Sequence, residues 1–316
     1  MNTKNIFLLS SLGIVVLGLV VALCVIFFVR EPYVPSLDSL DATTDITTSN
    51  VENQQSLVGG SVEQTDVQTA EGMYYRELSA VADEGYVFAY WKNSTNKLSG
   101  DEQITVGASS LDALSSAVAA CSPVFVEKNN VVLISSASDF LSKLVADTNQ
   151  DQTTGKIYKL TQDLGNINVS SSLGVFRGIL DGNNHSISCS QISGSGLFSS
   201  LNDGVIKNLI FADGKIEGTS AVFVGTFCGS INNGLISRCL SYAQVENQLA
   251  GGYAGGLVGV CSSTDVRSML FSSGFYGSVT AETPQQMIGQ NGTISGSNVE
   301  SCAVFRPKAN GATYTL

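Results

Sequence analysis

From residue 6 to residue 29 the chain reads IFLLSSLGIVVLGLVVALCVIFFV, with no charged residue. A helix of this length rises about 36 Å at about 1.5 Å per residue, enough to cross a bilayer with some tilt. The apolar run continues through Val25, Ile26, Phe27, Phe28 and Val29 with no A-x-A site. That pattern predicts an uncleaved signal anchor rather than a cleaved leader. Lys4 before it and Arg30 after it orient it weakly, with the N-terminus cytoplasmic. Residues 31–72 lose all periodicity. They hold eight acidic residues, no Lys or Arg, and Tyr33 as their one aromatic. Such a stretch predicts a disordered, self-repelling acidic stalk.

Period-two alternation follows. Tyr86, Phe88 and Tyr90 alternate with Val87, Ala89 and Trp91, which predicts a strand with its aromatics on one face. Asn93 to Asn96 reads as a turn and Glu102 to Val106 as the next strand, while DALSSAVAACS reads as helix or loop. A small β-module is expected over 73–127. Val131 to Ser135 is a short apolar strand. Phe140, Leu141, Leu144 and Val145 then fall on one helical face, predicting a helix at about 137–147 with Ser136 or Ser138 as N-cap.

Two markers recur after that helix. Gly174-Val175-Phe176, Gly196-Leu197-Phe198, Gly225-Thr226-Phe227 and Gly256-Leu257-Val258 are spaced 22, 29 and 31 residues apart. IKNL, ISRC, VRSM and VESC begin at Ile206, Ile236, Val266 and Val299, spaced 30, 30 and 33 apart. Nearly one shared period marks a repeat architecture, and units this short and Gly-rich bury a core only by stacking. In that register Leu209, Cys239, Met269 and Cys302 form one apolar row, and Asp181-Gly182 and Asn202-Asp203-Gly204 supply turns.

The residues A-x-x-G-Y-x-F-x-x-W from Ala82, followed by ITV, resemble the Listeria–Bacteroides repeat family. That likeness implies a β-grasp-like module. GGLVG at 255–259, GLISRCLSY at 234–242, and the opening YKLTQDL, VFRGILDGNNHSIS and GLFSSLNDGVIKNL resemble the GLUG-motif family of bacterial surface proteins. This second likeness covers about residues 131–305. It implies a right-handed parallel β-helix whose open first coil is capped by a helix. The expected fold is therefore all-β: a β-solenoid over 128–316 with its capping helix, the small module, and one N-terminal transmembrane helix over 1–30.

Composition narrows the chemistry. The net charge of −11 lacks the electrostatic footprint of a nucleic-acid binder. A single His excludes an HExxH zinc helix, and a Ser–His–Asp arrangement could use only His185. His185 lies in the turn DGNNHS, where the GLUG resemblance implies a structural role. Asp147, Asn149 and Asp151 alternate like the start of a calcium loop, but Tyr158 stands where the closing Glu belongs, so a solvated loop is expected. Cys239 and Cys302 are expected as buried thiols, while Cys228 and Cys261 are about one coil apart and a bond between them stays open. Trp91 and its neighbours are either a sugar-stacking platform or the filling of a very small core, the second being favoured. The acids Asp181, Asp203, Asp213, Glu217, Glu246, Asp265, Glu282 and Glu300 recur at no common repeat position, so no catalytic groove is expected.

No catalytic, metal or cofactor residue is assigned. The expected function is a membrane-anchored, extracellular, non-catalytic adhesin or surface-interaction scaffold with a glycan or protein ligand. Two alternatives remain, a carbohydrate-active β-helix enzyme and a structural component of a cell-envelope assembly with an envelope partner.

Overall fold

Strand β3, Met73–Ala82, organises the first part of the fold. It pairs antiparallel with β1 (Gly60–Gln64), β2 (Gln68–Ala70) and β6 (Gln103–Ala108). A second antiparallel sheet places β4 (Tyr86–Lys92) between β5 (Lys97–Ser99) and β7 (Ser122–Glu127). Between β6 and β7 lies helix α1, Leu111–Ala120, whose N-cap Ser110 accepts the Ala113 N–H. Leu114 and Val118 of α1 join Leu78, Phe88 and Trp91 in the module core. The computed structural model describes residues 57–70, 72–94, 96–261, 269–285, 288–291, 299–300 and 303–304. The predicted anchor and residues 31–56 of the stalk lie outside them. No helix among the described residues is long and apolar enough to cross a membrane.

The expected boundary at residue 73 is corrected. β1 and β2 lie within the stretch read as stalk, and Val62 and Val67 pack on the module core. Both strands are short and polar, and β3 supplies their ladder partners. Composition does not encode that tertiary pairing.

A β-bulge corrects the facing of β4. Its register against β7 shifts between Phe88 and Tyr90. Strict alternation would put Phe88 and Tyr90 on one face. The extra residue instead turns Phe88 and Trp91 into the module core and leaves Val87, Ala89 and Tyr90 on the opposite face.

From Val131 onward all strand pairing is parallel. Val131–Ile134, Ile157–Leu160, Ile179–Asp181, Val205–Lys207, Leu235–Ser237, Met269–Phe271 and Val299–Glu300 make a seven-stranded sheet. An eleven-stranded sheet and a three-stranded one, Phe223–Val224, Tyr253–Gly255 and Thr283–Gln285, carry the rest of each pass. Between its strands of the seven-stranded sheet the chain enters the eleven-stranded sheet from Ser171 onward and the three-stranded one from Phe223 onward. Tyr158, Leu180, Ile206, Ile236 and Leu270, the central residues of their strands, point inward and are wholly buried. They meet Phe176, Phe198, Leu201, Cys228, Ile231 and Val258 from the eleven-stranded sheet in one continuous core.

The observed register sharpens the repeat. Phe198 pairs with Cys228, Cys228 with Val258, and Val258 with Ile288, a steady step of 30 residues. The marker at Gly225 is thus one residue out of step, and Gly174-Val175-Phe176 matches Ser199-Ser200-Leu201 rather than Gly196. In the seven-stranded sheet Ile236 pairs with Leu270, so Val266 is not the equivalent of Ile236. The expected apolar row fails at Met269, because Met269 pairs with Leu235 and Ser273 is the residue that meets Cys239. The motif VRSM imitates the repeat, but the buried strand residue of that pass is the Leu that follows it.

The helix predicted at 137–147 comprises Ala137–Asp139, a π-helical turn Phe140–Val145, and Ala146–Asn149. The N-cap is Ser136. Its Oγ accepts the Asp139 N–H, and Asp139 in turn accepts from the N–H and hydroxyl of Ser135. Those bonds and Lys143 hold the Asp139 carboxyl well below the usual carboxylate range. Phe140 and Leu144 cover the first pass, while the wider turn leaves Leu141 partly in solvent.

Candidate functional site

An apolar seam joins module and stack. Val87, Ala89 and Tyr90 of β4, with Val124 and Val126 of β7, pack on Ile157, Ile179, Val205 and Leu235. These four residues lead their strands, and each pairs with the next, so they form a row on the outer face of the seven-stranded sheet. Here Ala89, Val205 and Leu235 are fully covered.

Polar contacts border the seam. Lys207 closes its strand on the same outer face and is 4 % exposed. Its Nζ donates to the Ala89 carbonyl at 2.7 Å, stands 4.0 Å from Asp181 Oδ2, and lies 5.0 Å from the centre of the Phe88 ring. Burial pushes its pKa down, against the opposing pull of Asp181, Glu102 and Asp101; Lys159 pushes the same way as burial. Gly100 is the close-approach point. A Cβ there would lie 3.0 Å from Lys207 Cβ and Cδ, and its N–H donates to Ser237 Oγ at 3.1 Å. Lys97 Nζ donates to the Asn233 carbonyl at 2.6 Å, and Arg238 pairs with Asp101 at 3.0 Å.

Where the seam opens there is a cleft of about 850 Å³. Asp101 and Glu102 line it from the module, and Lys159, Asp181, Lys207 and Arg238 from the stack. Both signs of charge are present, and two of the carboxylates are engaged: Asp101 by Arg238, and Asp181 by the Asn183 N–H and the Asn208 amide. Asn208, Arg238 and Ser272 take the left-handed turn at this rim, with φ of 52°, 53° and 46°. Asn fits that conformation readily; Arg and Ser adopt it under the constraint of the stack.

The chain matches no family model and no curated protein.

The expectation that acids share no repeat position is overturned at one place. Glu217 and Glu246 are direct partners on neighbouring strands. Pass lengths differ, so counting from fixed markers misses them. Lys215 joins them, 2.5 Å from Glu217 Oε1 and 2.7 Å from Glu246 Oε2. Gln248 Nε2 donates to both at 2.9 Å, and Gln191 Nε2 donates to Glu217 at 2.6 Å. Lys215 and Gln248 hold Glu246 below the usual carboxylate range. A glycosidase pair needs one carboxyl kept protonated, and this clamp works in the opposite sense for Glu246.

The remaining sequence candidates are placed as follows. His185 Nδ1 lies 3.4 Å from Asp163 Oδ1, which also accepts the Ser186 N–H at 2.8 Å. Asp147 accepts from Lys156 Nζ at 2.7 Å and from the Tyr158 hydroxyl at 2.6 Å, and Asp151 pairs with Arg177 at 3.2 Å. The calcium-like spacing is thus taken up by cationic and hydroxyl partners of the chain. No disulfide joins Cys228 to Cys261. Cys228 pairs with Val258 and Cys261 with Ile231, which sets them at different steps along their strands. Burial pushes the Cys228 thiol well up, with the Cys261 neighbour adding to it. Cys239 is also a buried thiol, while Cys302 lies outside the described residues. Trp91 is wholly buried and its Nε1 donates to the Glu102 carbonyl at 3.3 Å, so it fills the module core.

Sequence reading passed over two outer aromatic pairs. Tyr242 stacks on Tyr276 at 4.8 Å and 16°, and Phe223 on Tyr253 at 5.6 Å and 28°. The signal was available: LSY at 240–242 and GFY at 274–276 occupy one position of successive passes.

Proposed function

We propose that this chain is a membrane-anchored, extracellular binding scaffold, held by residues 6–29 and lifted from the bilayer by an acidic stalk. On this reading the parallel stack is a right-handed β-helix of the GLUG type, and the module is a β-grasp-like unit fixed to its flank. The step of 30 residues from Phe198 through Cys228 and Val258 to Ile288, and the helix over the first pass, support the β-helix reading. The observation that carries the functional reading is the seam. Val87, Ala89 and Val124 on Ile179, Val205 and Leu235 join two unlike parts into one body. A scaffold that presents a surface to a ligand gains from such rigidity.

Arg238 on Asp101 and Lys215 on Glu217 and Glu246 pair these carboxylates with cations, which favours binding over acid–base turnover. The test is display of the full chain on intact cells, with external protease and a membrane-impermeant amine label. Removal of residues beyond the stalk from the outside is expected, together with protection of Lys4. Protection of the whole folded part would overturn the reading.

A further inference from the structure

Tyr242 and Tyr276 form a ladder on the outer face of the stack. Their rings lie within 16° of parallel, so each ring plane faces along the stacking direction. Tyr276 covers one face of Tyr242. On the other side Tyr242 donates its N–H to the Phe211 carbonyl, which places Ala212 beside it on the preceding pass. Ala212 is the extra residue of a bulge: Ile187 pairs with Phe211 and Ser188 with Asp213. A methyl group thus occupies the ladder step where a ring would continue, and Tyr242 is 43 % exposed. Passes are about 4.8 Å apart, so the gap beside Tyr242 fits one flat ring.

A cleft of about 370 Å³ begins at Asp213, next to this bulge. Asn166, Ser188, Ser190, Asp213, Lys215 and Gln244 line it. Gln244 is two residues beyond Tyr242 on the same outer face, and Asp213 follows Ala212. Among the described residues no group of the chain hydrogen-bonds the Asp213 carboxylate or the Gln244 amide. Hydroxyls, amides and one carboxylate beside an open aromatic face make a site with both hydrogen-bonding senses and an apolar plate.

We infer that the Tyr242 ring face and the Asp213–Gln244 cleft form a saccharide subsite. One pyranose ring lies with its C–H face on Tyr242 above Ala212, and its hydroxyls bond Asp213 and Gln244. The inference extends the scaffold reading by naming a ligand class and a place, and it rests on that reading only for its biological setting. A proline-rich peptide is the competing occupant, but without backbone N–H groups at its prolines it offers few donors to the Asp213 carboxylate.

The test uses the full chain in nanodiscs, titrated with a panel of soluble neutral oligosaccharides and with a proline-rich peptide, and read by ligand-observed saturation transfer. Saturable binding of at least one oligosaccharide is expected. Tyr242→Ala and Ala212→Tyr, the latter filling the gap, should each weaken it about tenfold or more, and Asp213→Asn several-fold. Circular dichroism of each variant controls for folding, and Tyr276→Phe should bind as the parent does. Silence of every oligosaccharide at millimolar concentration would overturn the subsite, as would peptide binding alone. So would oligosaccharide binding that Tyr242→Ala and Ala212→Tyr leave unchanged, although that outcome would keep the scaffold reading.

Discussion

Lys207 Nζ donates to the backbone carbonyl of Ala89 at 2.7 Å, a bond between residues 118 apart in the chain. It ties the module to the parallel stack at the edge of the apolar seam. Lys207→Ala would leave that carbonyl without its partner and a hole beneath Phe88. The expected loss is about 2–4 kcal/mol of unfolding free energy, measured by urea denaturation at neutral pH. A change within ±0.5 kcal/mol, the range of ordinary surface substitutions, would refute the role assigned to this lysine.

The same lysine gives a pH signature. Burial lowers its folded pKa below the ordinary 10.5. The unfolded chain therefore holds more protons than the folded one between the lowered value and 10.5, and stability from this group rises with pH across that window. Lys207→Met removes the term. The stability of the parent relative to Lys207→Met should rise as pH climbs toward 10.5 and stay level at lower pH. A flat difference throughout would contradict the buried-charge account.

Trp91 separates the core role from the platform role. Trp91→Ala should cost about 3–5 kcal/mol through the cavity it opens. Trp91→Phe should fold and retain whatever ligand binding the parent shows. Loss of binding in a folded Trp91→Phe would restore the platform reading.

Much of this fold was legible. The repeat, the helix at 137–149 and the β-strand at Tyr86 all follow from periodicity, because burial imposes periods that side chains must obey. What failed were local shifts of register. The bulge in β4 moved Tyr90 to the seam, and the bulge at Ala212 exposed Tyr242; a bulge adds one residue without changing composition. The pairing of Glu217 with Glu246 was hidden for a related reason, since pass lengths vary between fixed markers. The seam itself was unreadable: Val87 and Ala89 look like any strand residues until their partners, from Ile157 to Leu235 along the chain, are known.

Glycines at 229, 259 and 289 show why one column tolerates no side chain. A Cβ on Gly259 would lie 2.5 Å from the Gly229 carbonyl oxygen, and one on Gly289 would lie 2.6 Å from that of Gly259. Gly259→Ala must push two passes apart and should cost about 1–3 kcal/mol or more. Thermal denaturation should show a lowered midpoint; an unchanged one would mean the passes are not packed at this spacing.

Lys215 holds Glu217 and Glu246 together. In Lys215→Met the two carboxylates would lose the cation they share, and Glu246 should titrate higher than in the parent. Carbon-detected NMR titration of the Glu246 carboxyl would show this. An unchanged Glu246 titration would mean that Lys215 does not govern the pair.

The account stands most directly on binding without turnover at an outer surface. The decisive measurement is a glycan and matrix array probed with the full chain in nanodiscs, followed by mass analysis of each bound ligand. Saturable binding with the ligand recovered intact is the predicted result. Recovery of cleaved products would contradict it and return the chain to the enzymes.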